Sequence, residues 1–313
     1  MASSGPARQA LDSLDSSGIG SGALSPAYLL VPGDGADADA VQARAAAVPG
    51  VRAALDPAGP AWHRDGTCLL VVVPDDPANS AAGKATLDRL RTAVDGFHGT
   101  RTGGTAAQGR DFVDAVYGNA PLAIALIVLV TLALLTRAFR SLVLAVKAVA
   151  LNVLSVAATF GLLVLAWQQG YLSQPVWGIE ATGSLTEWVP VMVFAFLFGL
   201  SMDYEVFILA RIREEYDETG STREATVRGI ARTGRLVTSA ALILFLAFAS
   251  LAATPGTEVK IFASALGLGI LLDATLVRAL LVPALVVLLG RWNWWLPRPV
   301  ARLLRWGHLP CRR

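Results

Sequence analysis

The chain has 313 residues, 54% of them hydrophobic, and a mean hydropathy of +0.53, which is too apolar for an ordinary soluble protein. The formal net charge of +2 says little as a sum, so the placement of the charges carries the argument, and no nucleic-acid partner is expected. The two cysteines, Cys68 and Cys311, show no metal-ligand spacing, and the three histidines lie outside the apolar runs, which argues against a metal centre or a histidine-based active site.

Residues 1–115 are soluble in character, rich in Ala, Gly, Asp and Pro. Tyr28 to Val31 reads as a strand closed by the turn signal Pro32-Gly33-Asp34-Gly35. Asp37 to Val48 reads as a helix, Val51 to Leu55 and Thr67 to Val73 as strands, and Ser80 to Val94 as an amphipathic helix with Leu87, Leu90 and Val94 on one face. A weak strand is expected near His98 to Gly103. The resulting β-α-β-β-α-β order is the pattern of a ferredoxin-like split unit. Gly103 and Gly104 lack a strand–GxxxxGK[ST]–helix context and read as a turn.

A helix from about Thr105 leads into five apolar spans, at about 117–137, 143–167, 188–211, 236–254 and 259–289. The second carries Asn152, Ser155 and Thr159, for which helix packing is the plainer role. Charge bias orients the spans. Arg137, Arg140 and Lys147 fall between spans one and two. Arg211, Arg213, Arg223, Arg228, Arg232 and Arg235 fall between three and four. Arg291, Arg298, Arg302, Arg305, Arg312 and Arg313 follow span five, whereas the link from Gln168 to Glu187 has no Lys or Arg. The basic links and the C-terminus are therefore expected in the cytoplasm and residues 1–115 outside. That topology places Cys68 and Cys311 on opposite sides of the membrane and excludes a mutual disulfide. The N-terminus has no signal-peptide core, so an upstream transmembrane helix is expected, with this chain as the back part of a larger protein.

Two basic stretches read as surface elements. Ser221-Thr222-Arg223-Glu224 fits a capping box opening a helix to about Thr233 that lies along the inner membrane surface. The tail 291–313, with Trp292, Trp294, Trp295 and Trp306, reads as an interfacial anchor.

The stretch with the most chemistry is Trp188 to Arg213. Twelve uncharged residues, Val189 to Leu200, are followed by Ser201-Met202-Asp203-Tyr204-Glu205 before apolar residues resume. Asp203 lies about 12 Å along the helix from Arg211, near mid-membrane, where an ionised carboxylate costs about 2.5 kcal/mol or more. Such a group marks a proton or ion path; the alternative is a structural aspartate, neutral or paired to a neighbouring helix. Tyr204 adds a phenol able to donate to a carboxylate or relay a proton. Glu205 is a secondary candidate facing a cytoplasmic vestibule. Asp273 and Arg278, inside the fifth span, are five residues apart and too far round an α-helix to pair with each other. Each is expected to find a partner on another helix or in water, with ion pairing and a place in the proton path equally open.

The run Phe198 to Phe207 (FGLSMDYEVF), continuing through Arg211 to Tyr216, resembles the signature of the MMPL transporters of the resistance–nodulation–division superfamily. Phe139-Arg140-Ser141-Leu142, Leu271 to Arg278 and Asn293-Trp294-Trp295-Leu296-Pro297 match as well, so the resemblance covers essentially the whole chain. It implies two similar halves, each with one helix, an outer porter domain and five further helices; GLSMDYEVF resembles the second half. It also implies that Asp203 and Tyr204 form half of a proton relay whose other pair lies outside this chain.

Taken together, these features describe a polytopic α-helical membrane protein: five transmembrane helices (116–290) preceded by an extracytoplasmic α+β ferredoxin-like porter-type domain. The function expected from the resemblance is proton-motive-force-driven export of lipids or other hydrophobic compounds across the cytoplasmic membrane, with the missing N-terminal half or another transporter subunit as partner and no cofactor beyond the proton gradient. The alternative is a non-transporting lipid-binding or scaffold module, or an inactive fragment of a split transporter gene. An enzyme is disfavoured, since no nucleophile–base–acid constellation is present and Ser201 is not in a G-x-S-x-G elbow.

Overall fold

The computed structural model describes residues 6–33, 35–78, 80–297 and 299. The chain forms two compact units: one takes the residues up to Ala120 together with Gln168–Glu187, the other takes Pro121–Trp167 and the chain from Trp188 onward.

The first unit begins with α1 (Pro6–Ser16) and a short 3-10 turn, neither foreseen from the sequence. It continues with β1 (Ala27–Pro32), α2 (Gly35–Ala46), β2 (Val51–Leu55), β3 (His63–Arg64), β4 (Thr67–Pro74), α3 (Ala81–Val94), β5 (Arg101–Gly103) and α4 (Thr105–Tyr117). The strands form an antiparallel sheet of order β2-β4-β1-β5, with β3 pairing off the side of β4. Strict alternation drives this layer: Ala27, Leu29 and Val31 of β1 and Cys68, Leu70 and Val72 of β4 are buried, as a sheet with one covered face requires. Ala38, Val41 and Ala45 of α2 and Leu87, Leu90 and Val94 of α3, each at helical spacing, belong to the same apolar core. Ser80 caps α3, its Oγ accepting from the Gly83 N–H at 2.9 Å. The Cys68 thiol is buried in this core, and that burial pushes its pKa up; it is a packing residue, not a reactive one. Between Gln168 and Glu187 runs a short helix, α7 (Ser173–Trp177). Glu187 pairs with Lys84 at 3.4 Å and its carbonyl accepts from the Tyr117 hydroxyl at 2.7 Å.

The second unit is helical: α5 (Ala120–Phe139), α6 (Leu142–Leu163) ending in a π-helical turn, α8 (Trp188–Thr219), α9 (Thr222–Leu251), α10 (Thr257–Leu272), a π-helical segment Asp273–Leu281 and α11 (Val282–Leu289). Five helical stretches are long and apolar enough to cross a membrane: Thr105–Phe139, Leu142–Gln168, Trp188–Thr219, Thr222–Leu251 and Thr257–Trp294. The protein is thus polytopic, and the apolar side chains it leaves exposed, such as Leu122, Leu129, Ile243 and Leu288, suit a hydrocarbon solvent.

Two sequence expectations are corrected here. The stretch Thr222–Thr233 is not a separate helix on the membrane surface. It forms the first turns of α9, which runs unbroken through Gly234 into the fourth span, a lone glycine being too weak to end a helix packed on both sides of it. Its small residues Ala225, Gly229 and Thr233 are buried, and α8 comes so close that a Cβ on Gly229 would lie 2.7 Å from Ile212 Cγ1. Nor is the start of the tail a uniform row of interfacial anchors. Trp292 is 61% exposed, but Trp294 stacks on Tyr216 with centroids 3.9 Å apart, donates from Nε1 to Thr222 Oγ1 at 3.0 Å, and lies under the Arg213 guanidinium. The rest of that expectation, with Arg298, Arg302, Arg305, Trp306, Arg312 and Arg313, and likewise Cys311, lies outside the described residues.

Candidate functional site

Consecutive side chains on α8 are about 100° apart, so Asp203, Tyr204 and Glu205 point in three directions. Asp203 lies on an exposed stripe with Met192, Phe196, Gly199 and Phe207, spaced four, three, four and four residues apart as one helix face requires. A Cβ built on Gly199 would meet open space. Tyr204 is half-buried, with the Arg278 guanidinium 4.9 Å from its ring centroid, in cation–π range. Glu205 faces the interior, 2% exposed, and its Oε1 has no hydrogen-bond partner. The structure therefore brings Tyr204 to the Arg278 cluster while turning Asp203 outward and Glu205 inward.

The π-helical segment changes the expectation for Asp273 and Arg278. An α-helix would set them about 140° apart, but an i→i+5 helix returns after roughly five residues to the same face, and Arg278 Nη2 donates directly to Asp273 Oδ2. The pair is buried, with side chains 5% and 8% exposed for Arg278 and Asp273. Arg278 Nη2 also donates to the Ser201 carbonyl at 3.0 Å and contacts Ser201 Oγ at 3.4 Å, while Ser155 Oγ donates to Asp273 Oδ1 at 3.4 Å. Three helical segments thus meet in one ionic knot, and a small cavity of about 20 Å³ lies against Ser155, Ser201, Tyr204, Asp273 and Arg278, enough for about one water. The arrangement sets a phenol and a carboxylate, two groups able to take up and give a proton, against one cavity.

A second buried polar cluster lies toward the end of the bundle that carries the basic links. Lys147, assigned from the sequence to the charged link, is buried on α6 and donates from Nζ to Asn293 Oδ1 at 3.1 Å. Asn293 Nδ2 donates in turn to the carbonyls of Val286 at 2.6 Å and Gly290 at 2.8 Å. Ser141 caps α6, accepting from Leu144 N–H at 3.1 Å, and its hydroxyl donates to the Asn293 carbonyl. The sequence contained a signal for the two clusters together: Lys147, Ser155 and Thr159 are polar residues buried along an otherwise apolar helix. Ser155 and Ser201, read as packing groups or passed over, prove to be ligands of the ion pair. No group of three or more His, Cys, Asp or Glu residues suited to a metal occurs among the described residues.

Comparisons with known proteins place the chain among relatives. Residues 33–310 match the model of the MMPL family. The mycolic acid-containing lipids exporter MmpL11 of Mycolicibacterium smegmatis is 38% identical over 301 residues, covering 91% of this chain and 31% of the relative. The heme uptake protein MmpL11 of Mycobacterium tuberculosis is 37% identical over 299 residues, 91% of this chain and 30% of its own length. The probable trehalose monomycolate exporter MmpL3 of Mycobacterium leprae is 39% identical over 217 residues, 67% of this chain and 22% of its own. The chain spans about a third or less of the length of these relatives. With a family match over residues 33–310 on a helical membrane bundle with a buried ionic knot, the chain belongs to the MMPL family.

Proposed function

We propose that this chain is the C-terminal half of a proton-motive-force-driven transporter that exports lipids or other hydrophobic compounds across the cytoplasmic membrane, with Asp203 and Tyr204 as its share of the proton relay. The observation that carries the reading is the position of Asp203, a carboxylate in the middle of an exposed stripe on an apolar helix. Facing lipid, an ionised carboxylate would cost about 2.5–3.5 kcal/mol; covered by a second helical half that supplies its own polar groups, the same stripe becomes an interface with a titratable centre. Asp273, Arg278 and Glu205, on the inner side of Tyr204, are then secondary members of the proton path. The first unit supports a role as an extracytoplasmic porter domain: with the two-residue β3 set aside, its β-α-β-β-α-β order and antiparallel β2-β4-β1-β5 sheet resemble a ferredoxin-like split unit. Two of the relatives are named for lipid export and one for heme uptake, so an apolar or amphipathic cargo is the common chemistry. The proton gradient supplies the energy and no cofactor is needed.

The test is Asp203→Asn in the complete assembly, reconstituted in vesicles with an imposed proton gradient and an apolar fluorescent or lipid cargo. Gradient-dependent export should be lost while the folded protein is recovered in normal yield. Export that still follows the gradient in the variant would refute the relay; cargo binding indifferent to both the gradient and the substitution would favour a lipid-binding module instead.

A further inference from the structure

The buried cluster around Lys147 has a geometry that the relay at Asp203 and Tyr204 does not use. Asn152 Nδ2 donates to the Phe198 carbonyl at 3.1 Å, which sets the register of α6 against α8. From that rung, Lys147 is five residues toward the basic end on α6 and Glu205 is seven residues toward it on α8. At about 1.5 Å per residue these are displacements of roughly 7.5 and 10.5 Å, so the two residues start about 3 Å apart in depth. Charged groups acting on Glu205 come from two directions: Lys147 from α6, and Asp273 with Arg278 from the π-helical segment.

The hydrogen bonding of the cluster is lopsided. Asn293 uses both donors of its amide on backbone carbonyls, which fixes the orientation of that amide and aims Oδ1 at Lys147. The Lys147 ammonium has three donors and spends one on Asn293. Meanwhile Glu205 Oε1, shielded from solvent, has no partner. A buried carboxylate oxygen without a hydrogen bond is costly, and protonation of Glu205 would remove the charge that makes it most so. In the structure Lys147 therefore rests on Asn293, while Glu205 Oε1 has no partner.

We propose that Lys147 is a two-position counter-charge that gates proton release from Glu205 toward the basic end of the bundle. This deepens the proton-driven reading and rests on it. With Glu205 protonated, Lys147 is held by Asn293. When the O–H bond of Glu205 breaks and its proton goes to water at the basic end, the new carboxylate draws the ammonium off Asn293 into an ion pair. Lys147 keeps its three protons throughout, and the pair passes from a net charge of +1 to zero. A proton arriving at Glu205 re-forms its O–H bond, cancels the carboxylate charge and returns Lys147 to Asn293. Lys147 is a positioning residue here: it never carries the transferred proton.

The experiment is pH-difference infrared spectroscopy of the full chain in lipid nanodiscs, which reads protonated carboxyl groups directly and does not depend on transport. A titrating carboxyl band should vanish in Glu205→Gln. In Lys147→Met the same band should persist to a pH higher by about one unit or more, a tenfold change in proton affinity, since the positive neighbour that favours the carboxylate is gone. Lys147→Arg should bring the band back toward the parent behaviour, which a role in packing would not predict, and Lys147→Gln serves if the Met variant fails to fold. A band assigned to Glu205 that titrates identically with and without the Lys147 charge overturns the proposal, as does the absence of any titrating Glu205 band. The two readings fail separately. Loss of the Lys147 effect while Asp203→Asn still abolishes export removes the gate and leaves the transporter; a clear Lys147 effect with export indifferent to Asp203 does the reverse.

Discussion

Removing the Arg278 side chain is the sharpest probe of the ionic knot. In the native bundle the guanidinium neutralises Asp273 inside a site where both side chains are more than nine-tenths covered. It also ties the π-helical segment to α8 through Ser201 and sits over the Tyr204 ring. Arg278→Met keeps most of the side-chain volume but leaves Asp273 with only neutral hydroxyl donors, Ser155 and Ser201. Breaking a buried pair in this way costs about 3–5 kcal/mol. Replacing both partners by apolar side chains, as in Asp273→Leu with Arg278→Met, strands no charge and should cost about 1 kcal/mol or less, because the pair's own desolvation penalty is relieved as well. The double-mutant cycle should therefore return a coupling of more than about 2 kcal/mol. Reversible unfolding in detergent–SDS mixtures, followed by helical circular dichroism, measures all four species. A coupling below about 0.5 kcal/mol would mean that Asp273 and Arg278 are not held together in the membrane, and the π-helical pairing would fall with it.

Two further outcomes follow from burial. Trp294→Ala should destabilise the helical unit by about 3 kcal/mol or more, since it loses the Tyr216 stack and the Thr222 hydrogen bond, whereas Trp292→Ala, at an exposed position, should stay within about 0.5 kcal/mol; equal effects in the same unfolding assay would contradict the packing of Trp294. Cys68, buried and with its thiol pKa pushed up, should react with a maleimide or iodoacetamide at least about tenfold more slowly in the native protein than after denaturation. Peptide mapping by mass spectrometry resolves it from Cys311, and fast native labelling of Cys68 would show that the β1–β4 core is not closed.

Patterns with a short period were readable directly. Alternation in β4 and the three-and-four spacing of α2 and α3 each bury one face, so strand and helix choice follow from local sequence. Apolar length did the same for the spans. The sequence misled where partners are distant or where the helix period changes. Asp273 and Arg278 look unpaired on an α-helical wheel, and only the extra residue per turn of the π-helical segment aligns them. Trp294 resembles its exposed neighbours, because its stack on Tyr216 is a contact between elements 78 positions apart.

The sequence by itself determined the class of molecule and the helix that carries its chemistry. Fourteen uncharged residues, Val189 to Met202, running into Asp203-Tyr204-Glu205 read as a membrane span, and the energy of a carboxylate in hydrocarbon makes that triplet exceptional wherever it is read. Which of the three points outward, which leans on Arg278 and which is sealed in the interior was decided only by tertiary structure. Adjacent residues on a helix differ by a third of a turn, and what each direction holds depends on the packing of α6, α8 and the π-helical segment, which no local pattern encodes. The same reason hid Lys147: a basic residue near the end of a span reads as a link charge until the backbone carbonyls that fix Asn293 show what the lysine is holding.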